Sequence, residues 1–304
     1  MKNIIFFLLA ASAIAACTSK SDEYYKQGIA KLNSSDYLGA IAKFDSCILL
    51  DDKNSNAFLN RGNAKFDNGD FAGCLADYDQ AILLTSSDAI NPVVYLNRGD
   101  TYWELKDFDK ALKDYTKAIE LRKDYDSAIV GRGKTYLSLG DLVNAQADLE
   151  RAIGLDSLNA FAHYALADVY YAQKNFEVSI AEYTRAIALQ PTEMTYFVDR
   201  ADAYFLLDDF DHAILDYTSA LKLDPQAAKV YVSRGDAFDN SSKPKEAIVD
   251  YDRAIELDPN YAAAWFNRGI TRKNNGDIKG ACDDFIKAAE LGSEAAVKYA
   301  AACR

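Results

Sequence analysis

The chain has 304 residues, of which 34 are basic and 46 acidic, giving a net charge of −12 near neutral pH. That balance argues against nucleic acid as a partner, since a phosphate backbone is held by clustered lysine and arginine, and it disfavours adhesion to anionic lipid. Five cysteines without a C-x-x-C pair point away from redox chemistry and from a zinc site.

Residues 1–16 read as a segment apart from the fold. Lys2 precedes the apolar run Ile4–Ala11, and small residues then lead into Cys17, as in a secretory signal. The run is short for a membrane span. Ile14-Ala15-Ala16-Cys17 resembles the bacterial lipobox, which implies lipidation of Cys17 and a signal peptide over 1–16. A plain signal peptide with a chance cysteine, or an uncleaved anchor, are the alternatives. Residues 17–20 then form the lipidated cysteine and a short linker, which keeps the following helix within roughly 15 Å of the bilayer. Thr18 after the cysteine favours, by the same resemblance, the outer membrane, on its periplasmic face or at the cell surface. Lys20-Ser21-Asp22-Glu23 is similar to the acidic export signal of surface lipoproteins in Bacteroidetes, and reads equally as an ordinary acidic first helical turn.

From residue 21 onward the chain repeats itself. Gly28, Gly62, Gly99, Gly133, Ala167, Ala201, Gly235 and Gly269 stand 34 residues apart, with one interval of 37. Twelve residues after each comes a second small residue (Ala40, Cys74, Ala111, Ala145, Ser179, Ala213, Ala247, Ala281), and seven further on a third (Cys47, Ala81, Ala118, Ala152, Ala186, Ala220, Ala254, Ala288). A bulky residue lies between: Phe44, Tyr78, Tyr115, Leu149, Tyr183, Tyr217, Tyr251, Phe285. Small sites let two helices approach to roughly 8–10 Å while the bulky residue fills the space beside them. Leu223–Pro225 and Leu257–Pro259 read as helix stops.

A 34-residue period with this pattern resembles the tetratricopeptide repeat. The resemblance implies an all-α, right-handed α-solenoid of eight helix-turn-helix repeats over 21–295: 21–54, 55–88, 92–125, 126–159, 160–193, 194–227, 228–261 and 262–295. Residues 89–91 are an insertion between repeats, and 296–304 a capping helix. Cys282 in the last repeat and Cys303 on the cap are a plausible disulfide in an oxidising compartment, whereas Cys47 and Cys74 sit in small-residue slots as packing residues.

Catalytic chemistry finds no support. His163 occupies a large-residue slot and reads as a core histidine, and His212 follows Asp211 with nothing complementary nearby. No nucleophile elbow, phosphate loop or metalloprotease motif occurs. Residues 52–56 resemble a calcium loop only faintly, lacking its glycine and its glutamate. No cofactor, metal or catalytic residue is implied.

Two charge ladders run with the period. Arginine precedes the small residue in six repeats, and an aspartate follows sixteen residues later: Arg61 and Asp77, Arg98 and Asp114, Arg132 and Asp148, Arg200 and Asp216, Arg234 and Asp250, Arg268 and Asp284. Repeat one has Gln27 and Lys43 there, and repeat five Leu166 and Glu182. The arginines could form a basic stripe for an anionic ligand. Because the aspartate travels with the arginine, a bridge between the two helices of each repeat is the expectation.

By resemblance, the first helix of each repeat lines a concave groove. Its ninth positions read Asn63, Asp100, Lys134, Asp168, Asp202 and Asp236, so the groove should be aromatic with acidic rungs, and Tyr164, Tyr171, Phe205, Asp168 and Asp202 are the expected partner-binding residues. Such a surface suits a protein or peptide partner of basic and apolar character. The chaperone-carboxylate clamp of some family members is absent, because Leu59, Ser127 and Gly131 stand where its basic residues belong. The expected function is therefore a non-enzymatic scaffold or adaptor held at the membrane through acyl chains, with a surface glycan- or nutrient-binding lipoprotein as the alternative.

Overall fold

The computed structural model of the protein describes residues 19–85 and 91–303. Cys17 with its lipobox, and residues 89 and 90 of the insertion, lie outside them. The described residues form seventeen α-helices and no strand. The first helices of the repeats are α1 (Lys20–Asn33), α3 (Ser55–Asp67), α5 (Pro92–Glu104), α7 (Asp126–Ser138), α9 (Ala160–Ala172), α11 (Met194–Leu206), α13 (Ala228–Asn240) and α15 (Ala262–Asn274). The second helices are α2 (Tyr37–Leu50), α4 (Phe71–Leu83), α6 (Phe108–Leu121), α8 (Leu142–Leu155), α10 (Phe176–Leu189), α12 (Phe210–Leu223), α14 (Pro244–Leu257) and α16 (Ile278–Glu290). The last is α17 (Glu294–Ala302), which starts two residues before the expected cap. None of these helices is long and apolar enough to cross a membrane.

The helices group into two compact units that divide inside α7, between Gly131 and Arg132. In the first, α1 packs on α2, α3 on α4 and α5 on α6, while α2 packs on α3 and α4 on α5. In the second, each of the pairs α9–α10, α11–α12, α13–α14 and α15–α16 packs within itself. There α8, α10, α12 and α14 also pack on the first helix that follows, and α17 closes on α16.

Local chemistry starts and stops each helix. Asp36, Asp70, Asp107, Asp141, Asp209 and Asp277 cap second helices by accepting the backbone N–H three residues on, satisfying a donor that has no intrahelical partner. Asn54 and Asn159 cap first helices in the same way, and Asn91 caps α5 by accepting the N–H of Val93, two residues on. The turn inside each repeat needs one left-handed residue: Ser35, Gly69, Lys106, Gly140, Lys174, Asp208, Ser242 and Gly276 all have positive φ.

The periodic small residues are where the helices meet. All sixteen residues in the second and third small slots are at most 1% exposed, Cys47 and Cys74 among them as free thiols. The first slot seats the bulky residue of the second helix. A Cβ on Gly62 would come 2.6 Å from the Tyr78 ring, and one on Gly235 would come 2.7 Å from that of Tyr251. At the C-terminal end Cys282 and Cys303 form a disulfide, their Cα atoms 5.5 Å apart, and Tyr299 packs on Phe285 and Phe266 with ring centroids 4.8 and 5.6 Å away.

The left-handed turn costs a side chain more than it costs glycine. Lys106 and Lys174 hold φ of 59° and 61°, so Lys106→Gly and Lys174→Gly should each stabilise the chain by about 0.5–1 kcal/mol, read from urea unfolding midpoints. A loss of stability at both sites would contradict this account of the turn.

Candidate functional site

The arginine ladder is built into the fold. Arg61 Nε and Nη2 donate to the two carboxylate oxygens of Asp77 at 2.9 and 2.6 Å. Arg98 grips Asp114, Arg132 Asp148, Arg200 Asp216, Arg234 Asp250 and Arg268 Asp284 in the same two-pronged way. All six aspartates are buried. The remaining Nη1 often reaches back to the preceding repeat: Arg61 to Asp45 at 2.6 Å, Arg200 to Thr184 at 2.8 Å, Arg234 to Thr218 at 3.0 Å, and Arg268 to Asp252. Each of these guanidiniums thus ties three helices together. In repeat five, where leucine replaces arginine, buried His163 meets Glu182 at 2.7 Å through Nδ1 and faces the Ser157 carbonyl through Nε2. Arg185 also donates to Glu182 at 2.6 Å.

A second ladder, which the sequence reading did not find, links the bulky tyrosine to the first helix of its own repeat. The hydroxyls of Tyr78, Tyr115, Tyr183, Tyr217 and Tyr251 donate to Asn63, Asp100, Asp168, Asp202 and Asp236. The signal was present at a fifteen-residue offset. Where the bulky residue is Phe44, Leu149 or Phe285, the ninth position is Ile29, Lys134 or Ile270, and no carboxylate stands there. The acidic rungs are therefore half-buried acceptors anchored by tyrosines.

In the second unit these groups surround a pocket of about 310 Å³, lined by Tyr164, Asp168, Tyr171, Tyr183, Asp199 and Asp202. Four of the five residues expected to bind a partner line it. Phe205 does not, and packs edge-on against Phe210 at 5.3 Å beside the apolar core of that repeat. Two lining residues were not among those expected to bind: Tyr183, read from the sequence as a packing residue, and Asp199, the sixth residue of α11. Asp199 accepts the Tyr164 hydroxyl at 2.8 Å. The sixth position bonds across repeats elsewhere too: Asn60 to Tyr25 at 2.9 Å, Asn97 to Asn63 at 2.8 Å, and Asn267 to Asp236 at 2.8 Å. In the first unit the equivalent face carries a pocket of about 300 Å³ with Leu32, Asn63, Phe66, Asp67, Tyr78, Asn97 and Asp100 in its wall. Among the described residues no group of three or more His, Cys, Asp or Glu is arranged to hold a metal ion.

Profiles described as tetratricopeptide repeat match residues 92–125, 130–193 and 164–228, and one described as TPR repeat matches 243–276. Together they span more than half of the chain. The chain belongs to the tetratricopeptide repeat family. No curated protein matches its sequence. Among solved structures it is similar to a tetratricopeptide repeat protein from Parabacteroides merdae, with TM-score 0.62 and 20% identity over 83% of this chain and 98% of that one. It is similar also to the C-terminal part of a repeat-containing protein from Cytophaga hutchinsonii, with TM-score 0.64 and 18% identity over 79% and 98%. A third likeness is to YrrB, described as a TPR protein with an unusual peptide-binding site, with TM-score 0.54 and 22% identity over 61% and 96%.

Within this tetratricopeptide fold the pocket of the second unit stands out electrostatically. Burial raises the Asp168 carboxyl to about 7, with Asp199 pushing the same way and the Tyr183 hydrogen bond opposing. Burial also raises Asp199 and Asp202, against the hydrogen bonds from Tyr164 and Tyr217. Lys134 is the cation whose field reaches Asp168. A carboxyl whose folded pKa exceeds its unfolded value favours the folded state below the unfolded pKa, and that contribution is lost as pH rises toward the folded one. Asp168→Asn, which keeps an acceptor for Tyr183, should therefore exceed wild type in stability by about 1–3 kcal/mol at pH 8. The gain should vanish near pH 4. Thermal unfolding of both proteins across pH reads this directly, and a pH-independent difference would contradict it.

Proposed function

We propose that the protein is a non-enzymatic adaptor, tethered by acyl chains on Cys17 to the bacterial outer membrane, that holds a basic and apolar protein segment against the first-helix face of its second unit. A protein-interaction scaffold fits both the repeat family and the solved structures the chain resembles. The observation that carries the site is the tyrosine- and carboxylate-lined pocket, with three aspartates in its wall and the nearby arginines, Arg200 and Arg234, committed to buried bridges. A cationic side chain would satisfy those carboxylates. YrrB, with the same fold, is described as peptide-binding.

The packing of the rings favours this reading over glycan binding. A sugar stacks on an open aromatic face, whereas Tyr164 is stacked on Tyr196 with centroids 4.6 Å apart and has Tyr183 at 5.8 Å. Tyr171 meets Phe176 edge-on at 5.4 Å.

Crosslinking in intact envelopes, followed by mass spectrometry, tests the adaptor. Wild type should capture a protein that a folded Asp168→Asn, Asp199→Asn, Asp202→Asn variant loses at least tenfold. Equal capture by both would move binding to another face. In the same envelopes Cys17→Ala should abolish metabolic labelling by palmitate and shift the protein from the membrane to the soluble fraction. Labelling that persists would remove the proposed tether.

A further inference from the structure

Each second helix turns one stripe of side chains outward, and in the first two repeats that stripe carries no charge. In α2 it reads Leu38, Ala42, Ser46 and Leu49; at the same repeat positions α4 has Ala72, Ala76, Gln80 and Leu83. All but Ser46 are exposed, Leu49 at 86% and Leu83 at 75%. Every other second helix has a charged residue in these places, and α6 has four: Asp109, Lys113, Lys117 and Glu120. Leu215 and Val249 are also exposed, but they share their stripes with Asp211 and Lys222, and with Lys245, Arg253 and Glu256.

The carboxylates beside the uncharged stripes are neutralised. Asp45 of α2 accepts from Arg61 Nη1 at 2.6 Å, and Asp79 of α4 from Arg98 Nη1 at 2.5 Å. Arg61 also holds Asp77 of α4 through Nη2, so one guanidinium bridges the two helices. Leu38 and Leu49 are eleven residues apart, three helical turns, so they point to one side of α2 about 16 Å from each other.

We propose that this face of α2 and α4 rests on the bilayer, with lipid covering Leu38, Leu49 and Leu83. The inference depends on the acyl tether at Cys17 in the adaptor reading and adds an orientation to it. The length of the tether selects lipid as the occupant. Cys17 stands four residues before Ser21, at most about 14 Å of extended chain. The Ser21 hydroxyl donates to the Cys47 carbonyl at 3.2 Å, two residues before Leu49. The tether therefore joins the fold beside the end of α2 that presents Leu49. A surface already held at the membrane needs only a weak apolar contact to settle there, because the anchor supplies a high effective concentration. The turns at that end carry both signs of charge, Lys20 and Lys53 together with Asp51 and Asp52 among them, which suits zwitterionic headgroups better than an anionic surface.

The test uses the full acylated protein in phosphatidylcholine vesicles, with a benzophenone side chain introduced at one position at a time. Photocrosslinking from positions 49 and 83 should yield at least fivefold more phospholipid adduct, read by mass spectrometry, than from two controls. Lys26 is the control near the tether, exposed at the sixth position of repeat one; Leu215 is the apolar control, 63% exposed in a later repeat. With the benzophenone at position 38, Leu49→Glu and Leu83→Glu together should cut lipid adducts at least threefold while the protein still floats with the vesicles. Equal lipid adducts from positions 26 and 49, or adducts from 49 and 83 to a second protein chain, would overturn the docked face and leave the tether standing. A protein that does not float with the vesicles would overturn both.

Discussion

Six buried aspartates, each gripped by two nitrogens of an arginine on the neighbouring helix, hold the repeats together. A carboxylate that is 1–7% exposed has lost most of its hydration, and a guanidinium is the side chain whose planar fork can replace it bidentately. Breaking such a pair strands a charge and costs about 3–5 kcal/mol. Pair and position are therefore inseparable. Where the arginine is missing, in repeat five, a histidine from a different position of the same helix supplies the partner. Glu182 is one methylene longer than aspartate, which suits the changed origin of the donor.

The bridges shape the opposite face as well. With these arginines turned toward the second helices, the first-helix face is left to tyrosine hydroxyls and the carboxylates they anchor. A tyrosine seated over the glycine or alanine of the first slot points its hydroxyl at the ninth residue of the first helix, and so fixes where that carboxylate sits. The acidic character of the second-unit pocket thus follows from the way the interior is assembled. The protein retains this acidity at a cost, since burial presses the carboxyls toward their neutral form.

Much of this was legible in the sequence because it depends on spacing along a helix. Small and bulky slots recur with the period, arginine and aspartate keep a sixteen-residue offset, and Cys282 and Cys303 lie on α16 and at the end of α17, which pack together. What escaped depends on geometry between side chains. Asp199 belongs to the pocket because the Tyr164 hydroxyl crosses from the preceding repeat, and no single-repeat pattern marks that. Phe205 looked equivalent to Tyr171, and it packs edge-on against Phe210 as Tyr171 does against Phe176, yet only Tyr171 reaches the pocket wall. The left-handed turn residues were hidden because glycine fills only three of the eight positions; the others carry serine, lysine or aspartate under the constraint of the packed helices.

Half-buried, tyrosine-anchored carboxylates are proposed to form a cation-accepting pocket. Carboxyl-carbon NMR of aspartate-labelled protein, with Asp168 assigned by its asparagine variant, addresses it directly. The account predicts a titration midpoint for Asp168 near 7 in the free protein, moving down by at least one pH unit when a lysine-bearing peptide is present, because a bound cation favours the ionised form. A midpoint near 4, unchanged by peptide, would show an ordinary solvated carboxylate and contradict the account.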